Sequence, residues 1–383
     1  MIYLDNSSTT PLLPEVRAAM EPYLDGAFGN ASSVHSAGLA ARAALEEARE
    51  TIARHIHAEP REIIFTSGGT ESNNTALVGT AFRRYLSGTP FAEQRLLTSL
   101  AEHRAVLDTA RFLERLGVRT ECIRPAMHGE VTPEALRTLV TEGVTSVSLM
   151  MVNNETGAMS DTAELVRTVR ERSPAAVFHT DAVQALGKVA IDVRTLGVDM
   201  MTLSAHKIHG PKGVGALYVR SGREFEPLLH GGSQERNRRG GTEAVALAVG
   251  FAEAVKHIVV EDPTIRALRE QLVRGLQEMP QVRFNSAVDG TCVPGILNLT
   301  FTEDVLSRLD PEALLIRFDL ADIAVSNGAA CSSGAMQPSH VLVACGASEA
   351  VARCSVRVSL SRFNTAREIG QFIEVLRGII ATA

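Results

Sequence analysis

Between about residues 60 and 220, short apolar runs alternate with stretches whose apolar residues recur at helical spacing. The runs at 62–65, 95–99, 144–152, 176–179, 200–203 and 216–219 predict strands, and 75–85, 105–116 and 162–172 predict the helices between them. This alternation is α/β patterning and predicts a mostly parallel sheet. A long amphipathic helix is expected at 36–57, ahead of the sheet. After about residue 255 the texture changes: a helix at 264–278, strands near 282–285 and 296–301, a helix from Pro311, and a last helix in which Ile369, Phe372, Ile373, Leu376 and Ile379 share one face. A smaller α+β domain is expected there. The sequence has no internal repeat, low-complexity tract or Pro/Gly/Ser-rich linker.

Composition narrows the class. The 383 residues are 45% hydrophobic and 21% charged, values of a globular enzyme. A net charge of -6 offers no basic field for a polyanion, so nucleic acid is not an expected partner. No apolar run approaches the ~18 residues of a membrane helix and the first residues do not read as a signal peptide, which places the protein in the cytoplasm and away from membranes. Five cysteines, at 122, 292, 331, 345 and 354, form no Cys-x-x-Cys pair, which argues against a disulfide framework and against zinc. No metal is expected.

In open parallel sheets, ligands bind beyond the carboxyl ends of the strands. The unusual polar residues fall there in five places: Thr66 to Ser72, Glu102 with His103, Asn153 to Glu155, Asp181 with Gln184, and Ser204 to Lys207. Ser67, Gly68, Gly69 and Thr70 before a helix would hold a phosphate through free backbone N–H groups and the helix dipole. This turn is neither Gly-x-Gly-x-x-Gly nor a Gly-Lys-Ser/Thr loop, which weakens dinucleotide and ATP readings. Lys207, closing a strand among Ser204, His206 and a Gly-Pro turn, suits a Schiff base with an aldehyde cofactor. Each residue also has a structural reading: His103 as a packing histidine, Asp181 as a helix cap, and the charged run 235–242 as a solvated loop. Arg357, between valines, is either paired with an internal carboxylate or poised for one on a ligand. Cys331 lies in a small-residue segment, 326–335, expected to be mobile and to leave its thiol accessible.

Taken together these motifs resemble the cysteine desulfurases, within the class V aminotransferase group of fold type I pyridoxal-phosphate enzymes. The likeness runs from Tyr3–Pro11 through the stretches 28–30, 67–73, 102–106, 153–157, 181–184, 204–213 and 239–242 to the Cys331 segment and 355–360. It implies a large cofactor-binding domain over 15–257 with a mixed, mostly parallel sheet, and a small domain of 1–14 with 258–383. Lys207 would bind the cofactor as a Schiff base, Asp181 would keep the pyridine nitrogen protonated, and His103 would stack on the ring and move protons. Gly69 lies in the phosphate turn, Thr70, Ser204 and His206 would hold the phosphate, and Thr242 would reach it from the other subunit of a homodimer. Asn154 and Gln184 would contact substrate or the phenolic oxygen. Arg357 and Asn30 would grip the carboxylate of L-cysteine, and Cys331 would take its sulfur as a persulfide.

The persulfide would pass to an acceptor protein for iron-sulfur cluster assembly or thiolation. A selenocysteine lyase, an aminotransferase of the same fold and a non-catalytic scaffold are the alternatives. Three departures from the family pattern stand out: Ala31 where proline is common, Asn327 and Ala329 in place of serines, and an end at Ala383 where scaffold-docking relatives often continue.

Overall fold

In the computed structural model, which describes residues 1–327 and 337–382, a seven-stranded sheet forms the centre. Its spatial order is Ile63–Thr66, Gly215–Val219, Met200–Ser204, Val177–Asp181, Ser146–Ser148, Arg95–Ser99 and Arg119–Ile123. Gly215–Val219 runs antiparallel to both neighbours, so Ile63–Thr66 points the same way as the other five. Six strands therefore end on one edge, and five of those ends carry the polar clusters.

The strands Ile63–Thr66, Val177–Asp181, Met200–Ser204 and Gly215–Val219 are buried at every residue, which explains why they show no alternation of buried apolar with exposed polar positions. Burial of both faces needs helices on both sides. Gly69–Leu86 and Arg104–Arg115 pack through Leu77, Val78, Val106, Ala110 and Leu113. Ser36–His55 and Val245–Lys256 join the main core with Ala41, Leu45, Ile52 and Phe251.

A second core gathers around a three-stranded antiparallel sheet in the order Val356–Ser359, Ile296–Phe301, Val282–Phe284. Helices Pro263–Gln277 and Ala366–Ala381 cover it. The latter begins with a capping box: Glu368 N–H donates to Thr365 Oγ1 and Thr365 N–H donates to Glu368 Oε2. Its stripe of Ile369, Phe372, Ile373, Leu376 and Ile379 is buried as the spacing predicts.

The first residues tie the two cores together. Ile2–Tyr3 pairs in parallel with Ile323–Ala324, Leu4 enters the second core, and Thr10 N–H and Leu13 N–H then donate to the carbonyls of His206 and His209. Across the junction Ser286 Oγ donates to Thr156 O at 2.6 Å.

Candidate active site

The phosphate-type turn is built by close backbone approach. A Cβ on Gly69 would stand 2.8 Å from Val183 Cγ2, and one on Gly215 would stand 2.8 Å from Gly68 Cα, so side chains are excluded at both. The helix begins at Gly69, not at Thr75, and its first turn therefore faces the strand ends. Thr66 Oγ1 and Ser72 Oγ pair at 2.8 Å beneath the turn, while Glu71 accepts from Ser67 N–H and from Arg239.

Behind this turn a cavity of about 350 Å³ opens at the strand ends. Gly69, Thr70, His103, Asn154, Asp181, Gln184, Ser204, His206, Lys207 and Arg357 all line it, together with Ser7, Ser8 and Asn73. Ten of the residues singled out in the sequence thus converge on one space. Asn30 and Thr242 do not: both are exposed, neither lines the cavity of this chain, and Asn30 Oδ1 accepts from Ser32 N–H at 2.8 Å. Cys331 lies outside the described residues.

Asp181 closes the floor. Its Oδ2 accepts from Asn73 Nδ2 at 2.7 Å and its Oδ1 from Val183 N–H at 3.0 Å, which fixes the carboxylate plane. Lys207 Nζ donates to the carbonyls of Ser7 and Ser8, both at 2.6 Å. Burial, with Arg357 nearby, draws its pKa down to about 8, against the opposing pull of Asp5 and Asp181. A lysine so placed yields its neutral, nucleophilic form readily.

His103 caps the helix Arg104–Arg115, its Nδ1 accepting from Ala105 N–H at 3.1 Å. In the neutral ring the proton therefore sits on Nε2, a donor for the cavity. His206 pairs with Thr9 Oγ1 at 3.2 Å, and burial followed by Lys207 and Lys212 lowers its pKa to about 4.

Arg357 is 4% exposed and donates to Asn154 O, Asp5 Oδ1 and Ser8 Oγ, yet its Nε–H has no partner. Of the two readings open for it in the sequence, an internal carboxylate pair is present and one donor is still free. Beside it Glu155, its pKa raised by burial, accepts from Ser339 Oγ, while His340 Nε2 pairs with Glu102 O at 2.9 Å. The chain re-entering at 337–340 is thus anchored next to His103.

The sequence reading missed Asp5, Ser7, Ser8 and Asn73 as site residues. Asp5 had a signal, as the one acid in the polar stretch 5–10. Asn73 had another, an amide two residues after Glu71 on a face that a helix starting at Gly69 turns inward.

A phosphorylated pyridine aldehyde fits these residues. Ser204 Oγ is buried without a hydrogen-bond partner, as is Asn154 Oδ1, and a carboxylate, a lysine and a helix N-terminus surround the space between them. Among the described residues no group of three His, Cys, Asp or Glu could hold a metal, and no helix is long and apolar enough to cross a membrane.

Comparison with known proteins gives concordant findings. The family model described as Aminotransferase class-V matches residues 2–372. The chain is 40% identical to a cysteine desulfurase IscS of Dictyoglomus turgidum, over 99% of this chain and 94% of that protein. A solved NifS-like protein superposes with a TM-score of 0.90 at 32% identity, covering 100% of both chains. A structure of SspA in complex with cysteine superposes with a TM-score of 0.83 at 33% identity, covering 95% of this chain and 100% of that one.

Proposed function

Since the chain belongs to the class V aminotransferase family and is a cysteine desulfurase, we propose that pyridoxal phosphate occupies the 350 Å³ cavity and that Cys331 receives the sulfur of L-cysteine. The observation that carries the cofactor assignment is the convergence of Lys207, Asp181 and His103 on one space beside the orphaned Ser204 hydroxyl. Gly69, Thr70, Ser204 and His206 would hold the phosphate, Asp181 the ring nitrogen, and Gln184 the phenolic oxygen. When bound, the cofactor supplies an electron sink for the pair left as a Cα–H bond breaks.

The chain's own groups do the rest. Lys207, with its pKa drawn down to about 8, accepts and returns the substrate's Cα proton near neutral pH. His103 Nε2 is placed to exchange a second proton, because Nδ1 is taken by the backbone. Arg357 and Asn154 grip the substrate within one chain, the free Nε–H of Arg357 adding a donor for its carboxylate. The Cys331 thiolate attacks the substrate sulfur: an S–S bond forms, the substrate C–S bond breaks, and protons return to the carbon skeleton. L-cysteine and the enzyme thiol thus become L-alanine and an enzyme persulfide.

Residues 15–257 would form the cofactor-binding domain and 1–14 with 258–383 the smaller one. A cytoplasmic homodimer, with Thr242 reaching the phosphate from the second copy and Asn30 as a further contact for the substrate carboxylate, and an acceptor protein serving iron-sulfur assembly or thiolation complete the proposal. Support for the shared site is that both residues are exposed here.

The test is a pair of variants assayed for alanine and persulfide from L-cysteine. Cys331→Ala is expected to keep the cofactor's absorbance and lose persulfide, and Lys207→Ala to lose the bound cofactor's absorbance. Full turnover in Cys331→Ala would overturn the nucleophile assignment.

A further inference from the structure

Gln184 is 4% exposed and sits between two groups of opposite hydrogen-bonding character. Its Oε1 accepts from Lys188 Nζ at 3.0 Å, and its Nε2 donates to Ser7 O at 2.9 Å. An ammonium can only donate and a backbone carbonyl can only accept. The amide is therefore held in one orientation, because turning it over would set oxygen against the Ser7 carbonyl and, while Lys188 is charged, N–H₂ against its ammonium. With Nε2 so fixed, its second hydrogen is left for an acceptor in the cavity that Gln184 lines.

From this geometry we infer that Lys188 is a positioning residue: it locks the Gln184 amide so that the cavity is offered a donor and not an acceptor. The inference rests on the reading that Gln184 meets the cofactor's phenolic oxygen. Lys188 does not line that cavity and reaches it through Gln184.

The same Ser7 carbonyl that accepts from Gln184 accepts from Lys207 Nζ at 2.6 Å. Lys188, Gln184, Ser7 and Lys207 thus form one continuous chain of hydrogen bonds. Burial, with Lys207 and Arg357 nearby, draws the Lys188 pKa down to about 7, so the lysine is kept at a cost, as expected of a group that orients another.

The test is a cycle on the full chain, with pyridoxal phosphate titrated into apoprotein and its absorbance read as both dissociation constant and band position. Gln184→Ala is expected to weaken binding about tenfold, the loss of one hydrogen bond to a charged acceptor. Lys188→Met is expected to weaken it about threefold and shift the band the same way, with Lys188→Arg recovering most of the loss. In the Gln184→Ala background, Lys188→Met is expected to change neither readout.

Thermal unfolding of each apoprotein checks that it is folded, and Lys188→Ala carries the comparison if the methionine chain is not. Unchanged binding in Lys188→Met beside weakened binding in Gln184→Ala would overturn the inference alone. So would an equal loss from Lys188→Met in both backgrounds. Unchanged binding in Gln184→Ala would instead remove the reading that its amide meets the cofactor.

Discussion

Arg357 Nη2 donates to Asp5 Oδ1 at 2.9 Å, joining residues 352 positions apart at the rim of the cavity. The side chains are 5% and 18% exposed, so the guanidinium has little water and its orientation comes from protein acceptors. Its planar fork serves Asp5, Ser8 and Asn154 at once and keeps Nε–H free.

A lysine in its place keeps the charge but loses the fork. Arg357→Lys is expected to raise KM for L-cysteine by about tenfold or more, the loss of one charge-assisted bond, while the bound cofactor's absorbance stays as in the parent. Steady-state kinetics beside a spectrum checks both halves.

Asn73 fixes the plane of the Asp181 carboxylate through a 2.7 Å bond inside the core. Asn73→Ala removes that donor without adding bulk, leaving Val183 N–H as the other hold on Asp181. The expected result is a kcat about tenfold lower with KM little changed, equivalent to roughly 1.4 kcal/mol of transition-state stabilisation.

Burial lowers the Lys188 pKa to about 7, with Lys207 and Arg357 adding to it. The folded chain releases this proton near pH 7, while the unfolded chain holds it to about 10.4. In between, the unfolded state binds more protons, so stability rises with pH, and below about 7 the cost of the buried charge is present in full. Lys188→Met lacks this dependence. Between pH 7 and 10 the parent apoprotein is expected to gain roughly 2 kcal/mol on the variant in denaturant unfolding, the full shift being reduced by relaxation and water around the partly exposed stem.

Glu235 is 6% exposed and takes a two-pronged bond from Arg49, at 2.7 and 2.9 Å, plus Phe65 N–H at 3.1 Å. It clamps the stretch after residue 229 to the sheet edge beside the phosphate turn. Glu235→Ala leaves the Arg49 guanidinium buried without its main partner and is expected to cost about 3–5 kcal/mol in equilibrium unfolding.

The sequence made most elements legible because their burial follows a simple period. The helix Thr162–Arg172 appears where predicted, its start marked by Asp161 capping Glu164 N–H and its length by Leu165, Val166 and Val169. The edge strand Arg119–Ile123 was missed because Ile123 is its one buried residue, so no alternation shows. The run at 144–152 yields only a three-residue strand, Ser146–Ser148; beyond it Leu149 and Met151 N–H still donate to the His179 and Asp181 carbonyls and Val152 bridges Met159, contacts too irregular to extend the strand. The helix from Gly69 to Thr75 was hidden by Gly, Ser, Thr and Asn, residues with poor helix propensity that this turn needs for other purposes.

Within the site, the ends of strands could be read because polar residues interrupt apolar runs there. Ser7 and Ser8 could not be tied to Lys207, since they act on it through backbone carbonyls, which every residue possesses. The Lys188 bond was equally hidden, as an i,i+4 contact in a segment with no helical period.

The opening ten residues align Tyr3 with Ala324 at one end and set the Ser7 and Ser8 carbonyls under the Lys207 amine at the other. Between them Asp5 bridges Ser359, and the N–H groups of Asn6 and Ser7 donate to Ser359 O and Oγ, so the seat of the reactive nitrogen is stitched down residue by residue along the opening stretch.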